Sequence, residues 1–468
     1  MKYFFWIIGI VFGIGWLAGT GAGCANRIPP TGGPRDTLPP VLVAVVPADS
    51  TLNFKADKIV FTFDEFIQLD NISRNLLVSP TMPTNPIVTY RLRTVTVNLH
   101  DTLLKPNTTY TLDFGKALKD NNEGNVYENF TYIFSTGNHF DSLSISGKII
   151  NAETGTPDST LLVLLFTQPE DSAVIKERPA YKARLNREGK FMFKNLPSGT
   201  FYLYAVKDES GLGRYSGKTQ LFAFADDPVV LSPGSSVSDI TLYAFVEASE
   251  TEERTTSRGR QKSEKDPLQY SLNIKDSKLG LNTPLILTFA DSLAEVNEGN
   301  IRITDTAFRQ LMPDSLVLDS TGKIFSIHYP FQSGEEYRLI LEEGFARDTI
   351  GRTNTSDTLR ILTRTESEYG SLRMRFLNLN QDKNPILLLL QNNQVKYTYI
   401  FKNREVNLPL VEPGEYDLRI VYDENRNGQW DTGRFFEGRR QPEKVLPIHR
   451  KLTIRANWLN EVDIELER

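Results

Sequence analysis

Along most of this 468-residue chain, apolar side chains recur in short runs at every second position. Ile59, Phe61 and Phe63 share one parity, with Val60 and Thr62 on the other. Val95, Val97 and Leu99 repeat the pattern, as do Tyr110, Leu112 and Phe114, and then Phe130, Tyr132 and Phe134. Successive side chains of a strand point to opposite faces, so each run makes a strand with one apolar face that must be covered. Turn-forming clusters such as Pro83-Thr84-Asn85-Pro86 and Asp120–Asn125 separate the runs. Short strands at this spacing predict all-β structure, built as tandem β-sandwiches. Asn71–Leu76 is expected to form one short helical turn. The chain has a single cysteine, so no internal disulfide can brace the fold. A hydrophobic content of 40%, rich in Val, Ile, Phe and Tyr, is adequate for ordinary β-rich cores.

The pattern occurs twice. Leu285, Leu287 and Phe289 echo Ile59, Phe61 and Phe63, and Tyr337–Leu341 echoes Tyr110–Phe114. Likewise Pro413-Gly414-Glu415-Tyr416-Asp417-Leu418 echoes Ser198-Gly199-Thr200-Phe201-Tyr202-Leu203. The expected order is A (41–138), B (142–245), a charged linker (247–267), A′ (268–365) and B′ (370–466). A spacing this large means domain duplication, since solenoid repeats are shorter. The linker has no large apolar side chain, so burial cannot offset its ordering entropy. It is expected to act as a mobile hinge between two double modules, A–B and A′–B′.

Residues 1–23 read as an export leader: Lys2, the apolar run from Tyr3 to Leu17, then Gly21-Ala22-Gly23 before Cys24. Residues 24–40 carry Pro29-Pro30, Gly32-Gly33 and Pro39-Pro40, a stiff tether with one bend. Small residues directly before the sole cysteine resemble the lipobox of bacterial lipoproteins, with Gly21 where Leu is usual. That resemblance implies cleavage before Cys24 and lipidation of its thiol. An uncleaved anchor helix is the alternative, because the run nearly reaches the roughly 20 residues that span a bilayer.

Cys24-Ala25-Asn26, Pro30-Thr31-Gly32-Gly33-Pro34-Arg35-Asp36-Thr37, Phe61-Thr62-Phe63-Asp64-Glu65 and Phe134-Ser135-Thr136-Gly137 carry a second resemblance. The chain resembles Gram-negative outer-membrane lipoproteins with surface-layer-type bacterial Ig-like domains. Gly189–Leu203 resembles carboxypeptidase-regulatory-like, prealbumin-type β-sandwiches, which have no catalytic residues of their own. No defined activity comes with either family.

Enzyme signals are sparse. His100, His139, His328 and His449 are scattered, and no Gly-x-Ser-x-Gly elbow occurs. Gly211–Thr219 imitates a phosphate loop, but Leu212 stands where its first glycine belongs, and Thr219–Phe224 reads as extended. Asp423, Asn425, Asn427 and Asp431 place oxygens at positions 1, 3, 5 and 9 of a loop with Gly428 at position 6, as the start of a calcium loop does. The plain alternative is a turn that binds nothing. Module B has Asp208, Ser210, Leu212 and Ser216 at the matching places and is not expected to bind an ion.

Asp-Ser or Asp-Thr followed by Ala, Ile, Leu, Val, Met or Thr occurs twelve times, at Thr37, Ser50, Thr102, Ser142, Ser159, Ser172, Ser292, Thr306, Ser315, Ser320, Thr349 and Thr358. The pattern resembles an O-glycosylation sequon of exported Gram-negative proteins. Asp-Ser and Asp-Thr are also good turn pairs. A net charge of -5 gives no basic surface for nucleic acid.

The sequence reading is therefore a non-enzymatic, lipid-anchored protein of the cell envelope, in the outer membrane, that binds or scaffolds an envelope protein or glycan. Its only cofactor would be the calcium ion. The alternative is a carbohydrate-binding accessory lipoprotein, with Tyr422, Trp430, Phe435, Phe436 and Trp458 as candidate aromatics on a free face of B′ and core packing as the plain alternative for most of them.

Overall fold

The structure is a computed structural model and describes residues 35–99, 104–209, 211–247, 267–436 and 438–466. Cys24, His100, Thr102, Ser210 and the linker interior lie outside the described residues. The fold is all-β, in tandem sandwiches. Residues 35–78 with 82–140 form one compact unit, and 79–81 with 141–466 form another.

In the first unit, one sheet runs Leu42–Val46, Lys58–Phe63, Thr94–Asn98, Ile87–Arg91 in spatial order. A second sheet runs Leu77–Ser79, Thr109–Asp113, Thr131–Ser135. Ile59 pairs with Val97 and Phe61 with Val95, which keeps the apolar parity on one face. All four are buried, and the Phe61 ring meets Phe114, Phe130 and Tyr132 edge-on. Burying a phenylalanine of this kind contributes roughly 1.5–3 kcal/mol. Ile72–Asn75 forms the short helical turn expected from the sequence, and a second, Ala173–Lys176, was not expected.

The second unit repeats this sandwich as A′ and adds B and B′. Tyr270–Leu272, Leu285–Phe289, Ile324–His328 and Ser315–Leu318 follow the same order as the first sheet of A. In B, Leu143–Asn151 lies between antiparallel Lys190–Leu196 and parallel Val237–Ala244. In B′, Gly370–Phe376 lies in the same way between Glu405–Val411 and Leu459–Ile464. The duplication read from sequence echoes is thus a duplication of sheet topology.

Within the second unit, B and B′ share an apolar cluster. The strands Leu162–Phe166 and Pro385–Gln391 are buried along nearly their whole length. A strand apolar on both faces must be covered twice. One face of Leu162–Phe166 packs into its own sandwich, while Leu164 and Phe166 join Tyr204, Phe222 and Phe224 on the outside. Phe435 of B′ fills that outer cluster and is 0% exposed, with its ring 5.0 Å from Phe222 and 5.1 Å from Phe224. The contact is also polar. Thr432 Oγ1 donates to the Val246 carbonyl at 2.7 Å, and the Phe435 N–H donates to Glu247 Oε1 at 2.9 Å. Arg439 pairs with Asp171 and lies over the Phe435 ring. Gly433 leaves no room for a Cβ, which would stand 2.7 Å from the Phe245 ring.

Truncating Phe435 empties the centre of this contact. Phe435→Ala is expected to lower stability by about 3–5 kcal/mol in chemical denaturation. Trypsin cleavage between Arg254 and Lys265 should leave the wild-type halves associated in gel filtration, whereas the Phe435→Ala halves should separate.

Candidate functional site

The loop after strand Gly414–Tyr422 of B′ gathers the polar groups singled out in the sequence. Asp423 is 3% exposed, and its carboxylate accepts the N–H of Asn427 at 3.2 Å and of Gly428 at 2.8 Å. Gly428 has φ 80°, a left-handed conformation that glycine adopts without a Cβ clash. Asn425 Oδ1 accepts the Asn427 N–H at 2.9 Å, and Asn427 Oδ1 accepts the Gln429 N–H at 2.8 Å. The two amide Nδ2 groups donate to Asp431 Oδ2, that of Asn427 at 2.7 Å. The four residues are therefore brought together, with N–H donors between their oxygens. Among the described residues, no group of three or more His, Cys, Asp or Glu is arranged to hold a metal.

Sequence reasoning missed Glu443. It is 6% exposed, and its carboxylate spans the loop. Oε1 accepts the Glu424 N–H at 2.8 Å and Oε2 the Asp431 N–H at 3.0 Å. The Trp430 indole N–H donates to the Glu443 carbonyl at 3.0 Å. Burial pushes the Glu443 carboxyl above its usual range; the two N–H donors oppose this, and the Asp423 and Asp431 carboxylates add to it. Glu443 stands outside the loop's own spacing, so no motif for the loop contains it. The available signal was a lone acidic residue just before the apolar strand Val445–Ile454.

The aromatic candidates divide. Phe435 and Phe436 pack against B, Trp430 and Tyr422 are half-buried, and Trp458 is exposed beneath Arg455. The face expected to be free is therefore largely an internal contact of the second unit. The imitation phosphate loop precedes strand Phe222–Phe224 and opens no helix.

Nine of the Ser/Thr positions are exposed: Thr37, Ser50, Ser142, Ser159, Thr306, Ser315, Ser320, Thr349 and Thr358. Ser172 and Ser292 are half-buried. Several of the preceding aspartates close turns. Asp158 accepts the N–H of Thr160, Asp319 that of Ile324, and Asp348 that of Arg352. This gives the Asp-Ser/Thr pairs a folding role independent of any glycan.

With the geometry in place, residues 36–136 match the bacterial Ig-like domain family. Solved structures with similar stretches include the major pilin subunit of Bacillus cereus, at 10% identity over 69% of this chain and 99% of that one, with a TM-score of 0.18. The Bacillus anthracis TIE protein matches at 9% identity over 93% of this chain and 76% of that one, TM-score 0.16. The S-layer protein rSbsC matches at 14% identity over 91% of this chain and 54% of that one, TM-score 0.15. Overlaps this low carry no argument about function. No curated protein matches the chain. Among the described residues, no helix is long and apolar enough to cross a membrane.

Because folding raises the Glu443 pKa, the folded state binds this proton more readily than the unfolded chain. Its contribution to stability is therefore fully present below the unfolded value, near 4.5, and is lost as pH rises through the folded value. Glu443→Gln keeps the shape without the charge. Measured by urea denaturation, the stability of the wild type relative to Glu443→Gln should fall as pH rises from 4.5 towards neutrality.

Proposed function

We propose that the chain is a non-enzymatic lipoprotein of the cell envelope, held by a lipid on Cys24, whose rigid β-sandwiches serve as a binding or scaffolding subunit. The observation that carries this reading is the order of parts. The leader ends at the sole cysteine, and the bacterial Ig-like domain begins at residue 36, a short tether beyond it. A body of packed sandwiches is suited to presenting surfaces at fixed spacing, because its stiffness comes from filled cores. Partner and glycan contacts fall to exposed loops. The outer membrane is the proposed location, and the exposed Ser/Thr positions are proposed glycan acceptors. Mass spectrometry of the mature protein should find an acylated N-terminal Cys24, and Cys24→Ala should move the protein to the soluble fraction. An intact Met1 terminus, or unchanged membrane attachment of Cys24→Ala, would overturn the reading.

The Asp423 loop is the proposed calcium site. Turning the Asn425 and Asn427 amides over would present Oδ1 in place of Nδ2 beside Asp431, giving the oxygen-rich shell a hard cation prefers. Bound ion stabilises the folded state by mass action, by about 2.7 kcal/mol at a hundredfold excess over Kd. Calcium should therefore raise the melting temperature over that in chelator, and Asp431→Ala should remove the difference. Identical melting in calcium and chelator would leave a hydrogen-bonded turn.

A further inference from the structure

Four segments meet at the end of the first unit where the chain enters it. The Val41 N–H donates to Asp64 Oδ1 at 2.8 Å, and the Asp64 N–H donates to the Val41 carbonyl at 3.1 Å. The Ile67 N–H donates to the Leu92 carbonyl at 2.9 Å, which places the Arg91–Arg93 turn beside Phe66. The Asn121 N–H donates to the Phe66 carbonyl at 2.9 Å, and Asn125 Nδ2 to the Asp36 carbonyl at 3.2 Å. Leu38, Val41, Phe66 and Leu92 all stand exposed on this end, Leu92 at 64%.

Leu92 is unusual in a second way. Its φ is 52°, a left-handed conformation for which glycine or asparagine is better suited. A turn that only had to close would favour either of those residues. The chain instead holds an apolar side chain at the tip of the turn, between Arg91 and Arg93. The Arg93 guanidinium lies 5.7 Å from the Phe66 ring centroid. Ten residues, 25–34, separate Cys24 from Arg35, a reach of about 35 Å at full extension.

We propose that this end is a membrane-contact surface that seats Leu92 and Phe66 in the interface of a zwitterionic aminophospholipid bilayer. The proposal rests on the reading that Cys24 carries a lipid, which keeps this end of the unit near the headgroups. Charge selects the kind of surface. Arg35, Arg91 and Arg93 stand with Asp36, Asp64 and Glu123, so both signs are interleaved. Phosphates pair with the arginines and ammonium groups with the carboxylates, as a phosphatidylethanolamine headgroup allows. A purely anionic lipid would meet the carboxylates with like charge. Leucine and phenylalanine ringed by arginine are side chains suited to the boundary between headgroups and acyl chains.

The test uses residues 24–468 with Cys24→Ser, which carry neither the apolar leader nor a lipid and leave any introduced thiol unique. Leu92→Cys bearing an environment-sensitive fluorophore is titrated with vesicles of phosphatidylethanolamine and phosphatidylcholine. Lys55→Cys with the same fluorophore, exposed near the opposite end of strand Lys58–Phe63, is the control. A saturable blue shift of the label at position 92, with none at position 55, is expected, and equal spectral responses at both would overturn the surface. Leu92→Asn in the Cys24→Ser chain fits the left-handed turn, so its melting temperature should not fall. Its vesicle partition should drop about tenfold, the order of losing one buried leucine, and unchanged partition would overturn the proposal. Because the titrated chain is unlipidated, its result decides the surface whether or not Cys24 is found acylated in the native protein.

Discussion

The second unit depends on one aromatic contact, Phe435 of B′ seated among Tyr204, Phe222 and Phe224 of B. Phe435 completes the cover of the outer face of strand Leu162–Phe166, which Val174, Tyr215 and Phe245 of B close only in part. The contact also fixes the polar loop. Trp430 packs against both the B cluster and the cluster of Ile386, Leu388 and Val421, and its indole N–H holds the Glu443 backbone. The carboxylates of the candidate site therefore sit on the rim of a packed surface, which explains why two of them are buried.

The repeats show one architecture closed by different means. In A, Asp120 caps its turn by accepting backbone N–H groups from Asn122, Glu123, Gly124 and Asn125. Burial alone would raise its pKa; the four donors outweigh that and hold the carboxyl below its usual range. In A′ the matching Asp348 takes the Arg352 N–H and pairs with the Arg352 guanidinium, which also reaches Asp291. In A′ a buried guanidinium joins the backbone N–H groups of Ile350 and Arg352 in closing the turn that four backbone N–H groups close in A. The Asp120 turn of A lies at the end where the described chain begins, with the Asn121 N–H on the Phe66 carbonyl.

Duplicated modules can be joined end to end or folded back on one another. Here B meets B′ although A′ lies between them in the chain. Gly433 against Phe245 and Gly155 against Val445 are close approaches that a Cβ would block. The shortness of these contacts is what lets two sheets share side chains.

The strand alternation around Ile59–Phe63 and Leu285–Phe289, the echo of Gly199 in Gly414 and the helical turn Ile72–Asn75 were legible in the sequence. Parity of apolar side chains is local and fixes which face of a strand is buried. The loop's spacing was equally local, so Asp423, Asn425, Asn427 and Asp431 could be grouped from the sequence alone. What covers the second face of Leu162–Phe166 was decided only by the tertiary structure. The continuous apolar runs Leu161–Phe166 and Ile386–Leu390 were an available signal of a doubly buried strand that the sequence reading did not use, and they do not name its cover. Phe435 and Phe436 were therefore open to two readings, a free aromatic face or packing, and they form an internal contact. Glu443 escaped for the same reason: its partners are N–H groups of Glu424 and Asp431, and no spacing rule connects a carboxylate to backbone donors across a loop. Period and composition determine what a segment must hide; only the folded chain decides what hides it, because that pairing joins residues as far apart as Val246 and Thr432.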